Sequence, residues 1–208
     1  MRRTVGRRDP EPGLRVVCAV LAAGGSTRLG APKQLLTLDG EPLIRRAVEA
    51  ACGSPSEQVA VVLGAHAAAV SRALGVSRAI ALENPGWSRG GMASSMHVAV
   101  HWAARLHADA LLLCVCDQPY LTASHLARLV DACTRERRSI ASRYGDALGV
   151  PAVIEAQHFA RLLSIVGDRG AAPLLRSGID VGAVDWPEGA IDLDSALDVA
   201  RFRAAGPA

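Results

Sequence analysis

The 208 residues carry 23 Lys and Arg against 20 Asp and Glu, a formal charge of +3, too mild to require nucleic acid as a partner. Half of the residues are hydrophobic but only 3% are aromatic, which excludes disorder and points to one α/β domain with a core of Ala, Val, Leu and Ile. No apolar run reaches the roughly 18 residues of a membrane span, and the five cysteines lack zinc-like spacing and read as reduced thiols, so a soluble, cytoplasmic protein is expected.

Residues 1–13 read as a basic tail with Arg2, Arg3, Arg7 and Arg8, and a single folded domain is expected over 14–204. Arg15–Leu21 is a β-branched apolar run ending at glycines, the pattern of a strand buried on both faces. Helical spacing follows over Pro42–Cys52, then a strand at Gln58–Leu63, a helix at His66–Leu74, a strand at Ala79–Leu82 and a helix at Ser94–Leu106. A fourth buried strand is predicted at Ala110–Val115, and a helix over Thr122–Arg138 with Thr122 or Ser124 as its cap. Beyond Ser139 the glycines and prolines predict irregular chain that completes the sheet. Strands alternating with helices imply right-handed crossovers and a mostly parallel sheet, a Rossmann-like three-layer α/β/α fold.

In such sheets ligands bind beyond the carboxyl ends of the strands. One segment expected there, Leu21–Lys33, packs three glycines, two hydroxyls, Arg28 and Lys33 directly behind a strand. Glycines allow several N–H groups to face one anion, and the two cations supply the charge a triphosphate needs. The loop matches neither G-x-x-x-x-G-K-[ST] nor G-x-G-x-x-G. Lys33 is the only lysine among 23 basic residues, which fits a position that wants a compact ammonium on phosphate oxygens. Asp117 ends the fourth strand and is a natural Mg²⁺ ligand. Asp192 and Asp194 share a face if their segment is extended. Asp194 doubles as a candidate N-cap of the last helix, so Asp192 is the preferred metal ligand of the pair.

These motifs together resemble a known family. Leu21–Leu36 is similar to the signature of the molybdenum cofactor nucleotidyltransferases of the MobA/MocA-like group, within the wider nucleoside-triphosphate transferase superfamily. Asn84, Trp87, Gly90, Gly91, Ser94 and Ser95 resemble its nucleotide-side loop. Cys116-Asp117-Gln118-Pro119 resembles its metal-binding D-x-P, Gly149-Val150-Pro151 its acceptor-side G-x-P, Gly167-Asp168-Arg169-Gly170 its G-D-x-G turn and Asp192-Leu193-Asp194 its D-x-D. The chain departs at Val150, where His is usual, and at Ser195-Ala196, where Thr-Pro is usual. The Ala22-Ala23-Gly24 opening resembles the cytidylyl-transferring branch; the guanylyl branch opens Ala-Gly-Gly.

The resemblance implies Mg²⁺-dependent transfer of CMP from CTP to a molybdopterin-type cofactor with release of pyrophosphate. It places nucleotide binding in 14–120, on Leu21, Ala22, Ala23, Gly24, Gly25, Ser26, Arg28, Lys33, Gly91, Ser94 and Ser95, with the Ala22 and Ala23 amides and Ser94-Ser95 reading the base. Arg28, Lys33 and Asp117 would serve catalysis, Asp117 and Asp192 the metal. The acceptor would lie against 121–204, at Gly149, Pro151, Gly167, Asp168 and Arg169. A molybdoenzyme or maturation chaperone is the implied partner of a monomer or weak dimer, with no nucleic acid and no membrane involved. Three alternatives stay open: guanylyl or other NMP transfer, an NAD(P)H-dependent reductase of a pigmented metabolite, and a non-catalytic cofactor carrier.

Overall fold

The computed structural model describes residues 13–27, 29–176 and 180–205; Arg28 and nearly all of the basic tail lie outside the described residues. In chain order the elements are β1 (Val16–Leu21), β2 (Thr37–Leu38), β3 (Glu41–Pro42), α1 (Leu43–Cys52), β4 (Gln58–Leu63), α2 (Ala67–Leu74), β5 (Ile80–Glu83), α3 (Trp87–Arg105) and β6 (Ala110–Val115). They continue with α4 (Ala123–Glu136), β7 (Ser139–Tyr144), β8 (Ala147–Glu155), α5 (Phe159–Leu163), α6 (Ala172–Arg176), β9 (Val181–Asp185) and α7 (Ala196–Ala205).

Seven strands form one sheet in the order β5-β4-β1-β6-β8-β7-β9, in which only β8 runs antiparallel to its neighbours. Residues alternate between the two faces, as the period of a strand demands. Val16, Cys18 and Val20 of β1 pack with Ile44, Val48 and Leu126 on one side. Val17 and Ala19 pack with Met96, Ala99 and Leu162 on the other. Helices therefore cover both faces of a mostly parallel sheet, the expected three-layer arrangement.

All five cysteines are free thiols, and Cys18 and Cys114 face each other across neighbouring strands with their sulfurs 3.8 Å apart. None of the described helices is long and apolar enough to cross a membrane.

After Ser139 the expected irregular chain is a hairpin of β7 and β8 instead. Its polar residues hid it: Ser139 and Ser142 are fully buried, Ser142 Oγ donating to Pro151 O at 2.7 Å and Ser139 Oγ accepting from Glu155 N at 3.1 Å. Pro151, which offers no N–H to a ladder, sits beside a register shift at Ala141/Ser142.

The chain leaves β1 toward β4 and β5 on one side, then α3 carries it back to β6 on the other. The loops after β1 and β6 consequently part in opposite directions, and a crevice opens between them.

Candidate active site

A cavity of about 350 Å³ occupies that crevice, floored by Leu21, Val115, Lys33 and Asp117 and walled by Ala23–Thr27 and the start of α3. Gln34 shapes the glycine loop. Fully buried, its amide donates to Ala22 O at 2.9 Å and Gly24 O at 2.8 Å, while Ser26 Oγ accepts from Lys33 N at 2.9 Å. The loop is thus bound back on itself around one side chain, a residue whose role the sequence reading passed over.

The expectation that the Ala22 amide reads a base is corrected by its partner. Ala22 N donates to Val62 O at 2.9 Å and its side chain belongs to the core, because β1 continues one residue of pairing past Leu21. Ala23, Gly24, Gly25 and Ser26 do line the cavity.

The opposite wall is the kinked α3, which begins at Trp87 rather than at Ser94. Gly91 adopts φ 59°, a conformation that only glycine holds without strain. A side chain there would also collide with Asp168, whose carboxylate accepts from Met92 N at 3.3 Å. The kink thereby docks the 167–168 turn against the cavity, and Gly167 and Asp168 line this first cavity. Ser95 faces it as well. Ser94 does not: its hydroxyl donates to Gly91 O at 2.8 Å and accepts from Asn84 at 2.8 Å. Asn84 also bonds Ser95 Oγ at 3.0 Å and so fixes both hydroxyls. His97 faces away and holds Ile165 O at 3.0 Å. Arg89, not singled out from the sequence, lines the cavity with Trp87.

Two carboxylates share one ammonium at the floor, and the charge of a third, Asp192, acts on them. Lys33 Nζ donates to Asp117 Oδ2 and, at 2.9 Å, to Asp194 Oδ1. Burial alone would lower the Lys33 pKa, but the Asp117 charge and the hydrogen bonds to Asp117 and Asp194 outweigh it and hold it raised. The segment 192–194 is held beside β6: Leu193 N donates to Asp117 O at 3.0 Å, and the fully buried Leu193 side chain anchors among Leu38, Leu43 and Val199. Its neighbours on either side are thereby turned toward Asp117. Asp194 is not the N-cap of α7. Ser195 takes that position, exchanging hydrogen bonds with Asp198 in a reciprocal capping box.

Asp192 reaches solvent, yet desolvation, followed by repulsion from Asp117 and Asp194, raises its pKa to about 6 against a smaller opposing pull from Lys33. Asp117 Oδ1 is buried and unbonded among the described residues. An orphaned carboxylate oxygen beside a repelled second carboxylate fits a divalent cation. Among the described residues no three His, Cys, Asp or Glu converge closely enough to hold one alone, so this floor suits the type of cation site completed by phosphate oxygens and water.

A second cavity of about 160 Å³ adjoins the first through Leu21, Met92 and Val115, and is lined by Gly149, Val150 and Arg169. Pro151, joined to Val150 by a cis peptide, is buried behind it and accepts from Ser142.

Comparison with known proteins follows this geometry. The MobA-like NTP transferase domain matches residues 18–182. The chain belongs to that family. As a MobA-like NTP transferase it is a nucleotidyltransferase enzyme. Purine catabolism protein PucB of Bacillus subtilis is 31% identical over 172 residues, 79% of this chain and 82% of that protein. Nicotine blue oxidoreductase of Paenarthrobacter nicotinovorans is 33% identical over 171 residues, 81% and 79% of the two chains. Molybdenum cofactor guanylyltransferase of Rhodobacter capsulatus is 29% identical over 126 residues, 61% and 63% of the two. Among solved structures, a mycobacterial protein from strain JC1 superposes with TM-score 0.78 at 30% identity, covering 92% of this chain and 96% of its own. A Mycobacterium tuberculosis protein solved with manganese superposes with TM-score 0.71 at 27% identity, over 90% and 97%.

Proposed function

We propose that this MobA-like transferase moves CMP from CTP to a molybdopterin-type cofactor, giving the cytosine dinucleotide form and pyrophosphate, with Mg²⁺ as its cation. The observation that carries the reading is the Lys33 ammonium set among Asp117, Asp192 and Asp194 beneath a glycine loop. The Ala22-Ala23-Gly24 opening supports cytidylyl over guanylyl transfer through the resemblance above; the guanylyltransferase relative keeps GTP as the competing nucleotide. The manganese-containing mycobacterial structure supports a divalent cation.

In this reading the triphosphate lies along Ala23–Ser26, with Lys33, Arg28 and Arg89 drawn to its negative charge. An oxygen of the acceptor's phosphate forms a bond to the α-phosphorus while the bond to the pyrophosphate oxygen breaks, and pyrophosphate leaves with the charge that Lys33 stabilises. No protein nucleophile is needed. Asp117 and Asp192 would hold the cation, which would neutralise phosphate charge. Ala23 and Ser95 face the nucleotide. Gly149 and Arg169 face the acceptor.

The test is pyrophosphate release by purified protein with Mg²⁺ and CTP, GTP, ATP or UTP, with and without molybdopterin cofactor, scored together with the nucleotide-bearing product. Cofactor-dependent release with CTP alone bears the reading out. Release with GTP alone makes it a guanylyltransferase. No release with any nucleotide sinks it.

The oxidoreductase relative favours a second reading, reduction of a pigmented metabolite by NAD(P)H. The chain carries no G-x-G-x-x-G. Nicotinamide-dependent bleaching of such a dye, surviving Lys33→Ala, would support that reading over nucleotidyl transfer.

A further inference from the structure

The second cavity has apolar walls, Met96, Leu113, Leu148 and Val150 among them, and three polar side chains, Tyr144, Arg169 and Arg176. Among the described residues neither arginine has an ion-pair partner, so both are open to an anion. Two guanidiniums beside an apolar lining suit an anion on a ligand that also has an apolar face.

Tyr144 ends β7 at the hairpin turn. Its ring is half-buried, and its hydroxyl lies directly over Gly149, where any side chain would overlap it. That hydroxyl has no hydrogen-bond partner among the described residues, although the charges of Asp192, Arg176 and Asp117 all act on it. It lines the second cavity together with Arg176. A half-buried phenol without a partner, held over a glycine that leaves it room, is placed for a ligand atom.

We infer that Tyr144 orients the acceptor: its hydroxyl donates to the acceptor's phosphate, which Arg176 holds by charge, in the second cavity beside the first. The inference rests on the first cavity being the nucleotide site, and it names the group that aims the attacking oxygen. Burial first, then the charge of Asp192, raises the Tyr144 pKa, with Arg176 opposing and Asp117 adding to the rise. The hydroxyl consequently stays protonated and serves as a donor. A phosphate monoester carried on a planar heteroaromatic ring fits both features, the faces of the ring lying against the Met92 and Met96 thioethers.

The experiment measures equilibrium binding of a fluorescent pterin phosphate monoester to the full chain, Tyr144→Phe and Arg176→Gln, with melting temperature alongside. Phenylalanine keeps the packing over Gly149 and removes only the hydroxyl. We expect Tyr144→Phe to weaken the probe at least about tenfold, the loss of one hydrogen bond to a charged group, to melt like the parent, and to leave the binding of CTP with Mg²⁺ unchanged. Arg176→Gln should weaken the phosphate monoester and spare the dephosphorylated pterin. A Tyr144→Phe variant that binds the probe like the parent overturns the inference, as does a parent that does not bind it. Absence of pyrophosphate release with every nucleotide, while probe binding still depends on Tyr144, would overturn the proposed transfer and leave the hydrogen bond from Tyr144 to the phosphate standing.

Discussion

Lys33 Nζ lies 2.9 Å from Asp194 Oδ1, 161 positions further along the chain, and the same ammonium holds Asp117. One side chain thus ties the loop after β1 to the end of β6 and to the segment before α7. Replacing Lys33 with Ala is expected to lower kcat for nucleotidyl transfer by about 10²–10³, the usual loss when one charge-stabilising group is removed. Lys33→Arg should not restore it, since a planar guanidinium does not fit where a compact ammonium sits between two carboxylates. Steady-state kinetics on both variants decides this. The Ala variant also removes the ammonium from Asp117, so its melting temperature should rise more steeply with added Mg²⁺ than the parent's.

Asp192 offers a proton-linked test of the proposed cation site. Its pKa of about 6 means that near pH 6 about half of the carboxyls are protonated. A cation binding there requires the carboxylate, so binding releases protons at pH 6 and almost none at pH 8. Titration calorimetry in two buffers of different ionisation enthalpy should show this release, and Asp192→Asn should abolish it. Equal heats in both buffers at pH 6 would remove Asp192 from the site.

Gln34→Ala should destabilise the fold by about 1–3 kcal/mol, because it leaves the Ala22 and Gly24 carbonyls without their buried donor. The glycine loop then loses its template, and KM for the nucleotide should rise with it. Thermal melts and nucleotide-dependent kinetics measure the two effects separately.

His125 predicts an acid limb in the stability profile. It is buried, stacked on Trp186 with ring centroids 4.5 Å apart and bonded to Ser142 at 2.8 Å. Desolvation, with Arg128 adding, lowers its pKa to about 4. Between that value and the unfolded one near 6.5 the unfolded chain binds the extra proton, so stability falls as pH drops through this window and levels off below it. His125→Gln should flatten that limb in denaturant melts taken from pH 7 to pH 4.

Gly91→Ala should cost more than an ordinary helix substitution, since the new side chain would collide with Asp168 and the backbone holds φ 59°. A clear drop in melting temperature with a raised nucleotide KM is expected, as the 167–168 turn is forced off the start of α3.

The strands that carry the site were legible because their apolar runs are short and unbroken, Val16–Leu21 ending before glycines and Ala110–Val115 set between Asp109 and Asp117; both differ from their predicted spans by one residue at most. The hairpin of β7 and β8 was not legible. Its inward serines are satisfied by Pro151 O, Glu155 N and His125, tertiary partners that no window of sequence reveals. Gln34 and Tyr144 escaped for a related reason. A glutamine after the loop and a tyrosine at a turn carry no periodic signal, and their partners lie where only the folded loop or Gly149 places them. The Ala22 amide was misread because a strand's last hydrogen bond depends on its neighbour's register, here Leu21 opposite Val62.

The burial of Leu193 beneath α7 has a consequence for biosynthesis. As the chain leaves the ribosome, Lys33 and Asp117 emerge long before the segment 192–194. The amino-terminal half can already set its glycine loop around Gln34 while the acidic side of the floor does not yet exist. Docking of Leu193 and α7 then delivers two further carboxylates in one step, so the centre is completed only after the rest of the sheet has been made.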